Sequence, residues 1–485
     1  MMKSNLLTDE QMYKFLTQGY IQVEADFEDD LHQRIYDKID HVFEHEGNPG
    51  NNILPRIPEI QQVFDHPKVI GAIISLVGPN HVMHPHRYCH LRAPQSGEQS
   101  WHKDDYIFDQ NVRHHRFRWI MVFYYPQDVT EDMGPTAVLP GCQYRNTISN
   151  TAPTESTEDE IKLCGQKGTV SLVNFDVWHR GSANFSTHKR YMLKFQFRRM
   201  EEPTGPSWRC ESTKWKPPVD HLLDRLSEDV WHWLCGASSA VPISEDIDDR
   251  LADRLITELS DAEEEVCLQA AYQLGQLGSA VVDRLIEALK VESRQDQDSN
   301  AQANATNPQG GNPSDLYSAH ALTRLGQTAI PPLIVALEDA NCWVRAAAAD
   351  IIGNIASQDE PQDAVAALVD RLQDPVWWVR RNAAEALGNI GFTTQSLLDN
   401  LKPLLRDEHE LVRRNTLVAL SKLHHDDEEM VGMLMEKLTQ DEDRYVRFYA
   451  ATALHRMEAS QARKALFNAL LSSRWCGQTT ADNPY

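Results

Sequence analysis

The sequence predicts a two-domain α+β chain, with an antiparallel β-sandwich over residues 1–240 and an all-α solenoid over residues 243–472. Two observations carry this. The first region breaks into apolar, β-branched or aromatic runs separated by Gly and Pro turns, as an antiparallel sandwich requires. The second reads as helix after helix with a recurring unit, the mark of a repeat architecture. A length of 485 residues accommodates both domains at roughly 100–200 residues each.

In chain order, an opening helix spans Asp9 to Thr17 and a first strand follows in GYIQVEA (19–25). A second helix covers about 28–46. Strand runs then appear at 81–94, 116–129, 136–143, 168–181 and 189–200. The proline-rich stretch 200–220 ends this pattern, and HLLDRLSEDVWHWLCG (221–236) is expected to be a short helix that closes the domain or bridges to the array. In the second region four segments align: NCWVRAAAADIIGNIA (341–356), VWWVRRNAAEALGNIG (376–391), HELVRRNTLVALSKLH (409–424) and DRYVRFYAATALHRME (443–458). Their arginines, 345, 380, 413 and 447, stand 35, 33 and 34 residues apart. Two earlier copies, at 263–278 and 316–326, bring the array to about six helix pairs, each with an apolar stripe that only a stacked neighbour can bury. The Val before each Arg is placed in the core, and the Arg is expected to pair with the preceding Asp across the turn. The polar run 291–315 is expected to be a flexible loop.

Composition limits the function. The net charge of −24 argues against a nucleic-acid partner. No run of about 18 apolar residues is present, so no membrane span is expected. The first residues lack a secretory signal pattern, and the eight cysteines are scattered with no CxxC pair. The expected location is cytoplasmic.

The chemistry resides in two segments. SWHKDDYIFD (100–109) contains His102-x-Asp104, and FDVWHRGSANFSTHKRYMLKFQF (175–197) contains His179 and, eleven residues later, Arg190. Two histidines and a carboxylate on one face of iron(II) leave three coordination positions open. Those positions suit the two donor oxygens of 2-oxoglutarate and then O2. Alternate residues of a strand point the same way, so His102 and Asp104 can serve one metal while His179 arrives from another strand. Arg190 matches the far carboxylate of 2-oxoglutarate, because a guanidinium binds a carboxylate through two hydrogen bonds.

Residues 1–240 resemble the phytanoyl-CoA dioxygenase family. The resemblance is carried by LTDEQMYKFLTQGYIQVE, WHKDD, YYPQDVTEDMGPTAVLPGCQ and WHRGSANFSTHKR. It departs at Met133, where the family has Asn, and at Cys142-Gln143, where it has Ser-His. The resemblance implies a double-stranded β-helix (jelly roll), with Fe(II), 2-oxoglutarate and O2 as cofactors. It also implies hydroxylation of a C–H bond of a small or medium-sized metabolite, with succinate and CO2 as coproducts. Asp104 stands where a halogenase of this type has a small residue, which disfavours halogenation. The repeats resemble HEAT repeats of the bilin-lyase kind. His409-Glu410 is a single His-Glu pair, unlike the recurring pairs of the di-iron HEAT hydroxylases, and reads as a surface coincidence.

Arg92 is a further candidate cosubstrate contact, or else a sheet-edge arginine. His86, Tyr88 and His90 are candidate substrate-pocket residues, against a plain role in sheet packing. Two other functions compete with the free-standing hydroxylase. One is a HEAT-repeat scaffold for a protein partner with a vestigial oxygenase domain. The other is an oxygenase acting on a protein- or carrier-bound substrate that the repeats recruit.

Overall fold

The computed structural model describes residues 3–28, 30–104, 113–146, 159–217, 223–237, 249–303, 316–355, 361–457 and 459–472. The described residues divide into two compact units, 3–104 with 115–236, and 113–114 with 237–472. The expected boundary at 240–243 lies outside the described residues.

In the first unit, helix α1 (Asp9–Gln18) begins at a capping box, in which Thr8 and Gln11 each bond the other's backbone. Strand β1 (Tyr20–Val23) follows, then helices α2 (Leu31–His45), α3 (Ile53–Arg56), α4 (Ile60–Asp65) and α5 (Pro67–Val77). The remaining strands are β2 (His81–Met83), β3 (Tyr88–Arg92), β4 (Trp119–Tyr124), β5 (Thr136–Val138), β6 (Ile161–Lys162), β7 (Val170–Asn174), β8 (His179–Gly181) and β9 (Arg190–Arg199). Helix α6 (Asp224–Leu234) closes the unit.

The large sheet runs β1-β7-β4-β9-β2, with β3 also paired to β9, and the small sheet runs β6-β5-β8. All pairings between these strands are antiparallel. Together they make the double-stranded β-helix.

Strand β9 explains how a site forms inside this fold. Its sequence, RYMLKFQFRR, is buried at every position, yet alternate residues face opposite ways. Tyr191, Leu193, Phe195 and Phe197 share the face covered by helices: Phe64 of α4 lies 4.4 Å from Phe195, and Tyr36 of α2 lies 5.5 Å from Tyr191. Arg190, Met192, Lys194, Gln196 and Arg198 share the other face, which looks between the sheets. A strand with one apolar face and one buried cationic face supplies a core and a site together.

The second unit is a stack of helix pairs. Val344, Val379, Val412 and Val446 are fully buried, as expected. The repeated arginine does more than close its own turn. Arg345 bonds the carbonyl of Asp339 (2.8 Å) and reaches the carboxylate of Asp374 in the next repeat (2.8 and 3.0 Å). Arg380 repeats this with the Asp374 carbonyl and the Asp407 carboxylate, and Arg413 with Asp407 and Asp441. The side-chain partner is therefore the following Asp, not the preceding one. The reason is reach: the preceding Asp caps its own turn (Asp374 accepts from Val376 N, 2.9 Å) and offers the arginine its carbonyl. Close helix approach depends on Gly353 and Gly388, where an added Cβ would lie 2.5 Å from Ala386 Cα and 2.7 Å from Ala419 Cα respectively.

The polar run 291–315 differs from expectation over its first half. The helix Val282–Ala303 passes through it, and its first turn inside the run packs on the array, with Ser293 buried and Glu292 accepting from Ser318. Residues 304–315 lie outside the described residues. Among the described residues no helix is long and apolar enough to cross a membrane.

Candidate functional site

His102 and His179 are brought together by backbone hydrogen bonds. Each N–H donates to the other's carbonyl, both at 3.0 Å. Residues 101–104 are not a regular strand; this isolated bridge, with the Gln99 N–H donating to the Gly181 carbonyl at 2.9 Å, sets their register against β8. Lys103 turns away and pairs with Asp176 at 2.5 Å, which leaves His102 and Asp104 on the site side. One ligand atom from each of His102, Asp104 and His179 lies within 4.8 Å of the other two.

The two imidazoles are oriented alike. His102 Nδ1 lies 2.9 Å from the Ser100 carbonyl, and His179 Nδ1 lies 3.0 Å from the Val177 carbonyl. Carbonyls only accept, so each Nδ1 carries the proton and each Nε2 presents a lone pair. Backbone locks of this kind commonly fix the tautomer of a metal-ligating histidine. Burial holds His179 in the neutral form, pulling its pKa down to about 4. Asp104 is deeply buried, which by itself would favour the neutral acid. The charge of Lys194, with the nearby histidines, outweighs that and holds the carboxyl well below its usual range. Lys194 Nζ stands 2.7 Å from Asp104 Oδ2, and His179 Nε2 lies 3.7 Å from the same oxygen.

Arg190, at the start of β9, is sealed from solvent. Its Nε donates to the Gly134 carbonyl at 2.9 Å, its Nη2 reaches the same oxygen, and Nη1 is buried with no partner. Gly134 has φ 71°, and a Cβ there would lie 2.8 Å from the Ser182 carbonyl. Only glycine gives the turn this conformation and this approach.

Arg92 faces Arg190 across the β3–β9 ladder, but its guanidinium is committed. Nη2 bonds the Gly181 carbonyl (2.7 Å) and Nη1 the Gly97 carbonyl (2.9 Å), bracing the loop that leads into His102. Asn184 ties the same region together through the carbonyls of Arg92 and His188. Of the pocket candidates, Tyr88 and His90 lie in β3 on the face shared with Arg92. Tyr88 Oη accepts from Asn48 Nδ2 at 2.8 Å. His90 Nε2 is buried and without a partner, and burial, together with the Lys194 and Arg190 charges, pulls its pKa down to about 3. His86 precedes the strand, and its backbone N–H donates to His84 Nδ1 at 3.3 Å.

Sequence reasoning overlooked Lys194. The signal was present in the alternation of β9, where a lysine falls on the same face as Arg190. His409 resolves as a helix cap: its Nδ1 accepts from Leu411 N, and its ring stacks on Trp377 at 3.9 Å.

The phytanoyl-CoA dioxygenase (PhyH) family profile matches residues 18–192. HEAT repeat profiles match residues 330–421 and 398–475, and a PBS lyase HEAT-like repeat matches residues 266–290. No curated protein matches the chain. Among solved structures, the chain is similar to the non-heme alpha-ketoglutarate-dependent carbocyclase SnoK from nogalamycin biosynthesis, at 15% identity and a TM-score of 0.34, covering 41% of this chain and 87% of that one. It is similar to HygX from Streptomyces hygroscopicus with nickel and 2-oxoglutarate bound, at 15% identity and a TM-score of 0.33, covering 44% and 97%. It is also similar to EctD from S. alaskensis, at 15% identity and a TM-score of 0.34, covering 40% and 78%. By its family profiles the chain carries a phytanoyl-CoA dioxygenase family domain over residues 18–192, followed by HEAT repeats.

Proposed function

We propose that this protein is an Fe(II)- and 2-oxoglutarate-dependent dioxygenase that hydroxylates a C–H bond of a small or medium-sized metabolite, with succinate and CO2 as coproducts. One observation carries the reading. Two imidazoles with proton-locked Nδ1 atoms and an ionised carboxylate converge, and a buried guanidinium with an unsatisfied Nη1 lies in the same interior. This donor set suits iron(II), and Arg190 suits the far carboxylate of a keto diacid.

His102, Asp104 and His179 would hold the iron. The bound iron and cosubstrate would supply the oxidising chemistry, with O2 as oxidant. The chain's own groups do the positioning. The Ser100 and Val177 carbonyls keep both imidazoles in the ligating tautomer. Lys194 fixes one oxygen of Asp104 and keeps that carboxylate charged. Arg190, held by Gly134, would anchor the far carboxylate of the cosubstrate through its unsatisfied Nη1. The buried inner face of β9 and β4 excludes water.

The domain limits 1–240 and 243–472 are part of this proposal, as is a protein partner for the repeats. Half-buried Trp343, Trp377 and Trp378 form a chain of ring contacts across two repeats, ending on His409. Tryptophan is enriched at binding hot spots, which favours a docking role such as recruiting a carrier-bound substrate.

The test is the visible spectrum of anaerobic protein with Fe(II) and 2-oxoglutarate. Chelation of the keto acid should give a weak charge-transfer band that is lost in His102→Ala and weakened in Arg190→Ala. Folded protein that binds no Fe(II) and gives no band would overturn the oxygenase reading in favour of a repeat-based scaffold.

A further inference from the structure

We propose that His90 is a second cosubstrate-positioning residue, whose Nε2–H donates a hydrogen bond to an oxygen of 2-oxoglutarate between Arg190 and the His102–Asp104–His179 cluster. The inference rests on the Fe(II)/2-oxoglutarate reading above.

Register supplies the first argument. Along the β3–β9 ladder Tyr88 pairs with Lys194, His90 with Met192, and Arg92 with Arg190. Directly opposed residues of an antiparallel pair share a face. His90 therefore stands one step from Arg190 and one step from Lys194, whose Nζ touches Asp104. A keto diacid anchored at Arg190 and reaching the metal ligands would run along the face that carries His90.

The second argument is an unmet hydrogen bond. His90 Nε2 is sealed from solvent and has no partner, a condition it shares with Arg190 Nη1. Buried polar atoms in folded proteins are overwhelmingly paired. An unsatisfied guanidinium nitrogen and an unsatisfied imidazole nitrogen on one interior face point to one guest rich in oxygen acceptors, to which Nε2 donates in its protonated tautomer, and a dicarboxylate supplies those acceptors.

The third argument is preorganisation. The His90 ring lies 4.8 Å from the Tyr88 ring, and Asn48 holds the Tyr88 hydroxyl. A histidine placed only to fill the sheet would be expected to spend its buried nitrogen on a protein acceptor. His90 also lies outside the metal-ligand cluster, so a role as a fourth ligand does not compete.

The experiment measures the dissociation constants of Fe(II) and of 2-oxoglutarate by anaerobic titration of the full chain, its His90→Leu variant and its His90→Gln variant. His90→Leu should weaken 2-oxoglutarate binding by about tenfold or more, the worth of one hydrogen bond to a charged group. Its affinity for Fe(II) should stay unchanged. His90→Gln keeps a donor and should recover part of the loss. Unchanged 2-oxoglutarate affinity in His90→Leu, with the native band present, overturns the role of His90 and leaves the oxygenase reading intact. Loss of both affinities, without rescue in His90→Gln, overturns it in favour of a structural role. Absence of any band in the native protein overturns both.

Discussion

The two units bury charge for different ends. In the repeat unit the repeated, half-buried arginines meet counter-charges within the array: Arg345 with Asp374, Arg380 with Asp407, and Arg413 with Asp441. In the oxygenase unit the inner face of β9 pairs Lys194 with the Asp104 carboxylate, while Arg190 bonds the neutral Gly134 carbonyl and keeps its Nη1 unsatisfied. The same residue types therefore staple one region and prepare the other for a ligand. An unsatisfied cation in the unit that also gathers three metal-ligating side chains, rather than burial or charge alone, marks the site.

That contrast can be broken at its strongest point first. His102→Ala should weaken Fe(II) binding by more than about 100-fold, beyond the loss typical of outer-sphere partners. Circular dichroism of the metal-free protein should be unchanged. Lys194→Met removes the ammonium that donates to Asp104. A buried carboxylate deprived of its partner costs about 3 kcal/mol. The metal-free variant should unfold at lower urea by that amount, and added Ni(II) should restore more stability to it than to the native chain. Equal rescue of both would show that Lys194 does not act through the metal ligand.

In the repeat unit, Arg380→Ala should cost about 2 kcal/mol, because Asp407 is left buried without its bidentate partner. Hydrogen exchange should quicken in the helices around 377–422 while Fe(II) and 2-oxoglutarate affinities stay unchanged. A loss of cosubstrate affinity would contradict the separation of roles.

The smallest effect is a difference in sign with pH. His179 is pulled from 6.5 down to about 4, chiefly by burial. Between those values the unfolded chain binds a proton that the folded chain refuses, so the metal-free oxygenase unit loses stability as pH falls from 6.5 towards 4. Glu292, in the helix Val282–Ala303, is pushed from 4.5 up to about 7 by burial, against two hydrogen bonds from Ser318. Here the folded chain keeps a proton that the unfolded chain releases, so the repeat unit loses stability as pH rises from 4.5 towards 7. Each contribution is on the order of 1–3 kcal/mol. Glu292→Gln should stabilise the protein at pH 8 and not at pH 4, as read from urea unfolding midpoints.

Much of this was legible beforehand. Period-2 runs located the strands, and the spacing of the Val-Arg pairs located the helix pairs. His102, Asp104, His179 and Arg190 could be picked out by type and order. No local pattern links residue 194 to residue 104, so the pairing of the lysine with Asp104 is not legible in the sequence. The carboxylate partner of the repeat arginine belongs to the next helix pair, which the spacing within one repeat does not reveal. The polar run after Val291 lacks an apolar stripe and so reads as a loop, yet the preceding helix extends to Ala303.

Local periodicity, turn chemistry and residue type are properties of short segments. They determined which elements form, which side chains each strand turns inward, and which residues could ligate a metal. Tertiary structure alone decided who meets whom. It placed the His102–His179 bridge, seated Lys194 on Asp104, closed the Gly134 turn onto Arg190, and left His90 Nε2 buried with nothing to bond. The physical reason is that burial, partner choice and an unsatisfied donor are set by the closure of sheets and the stacking of repeats, which join residues far apart in the chain.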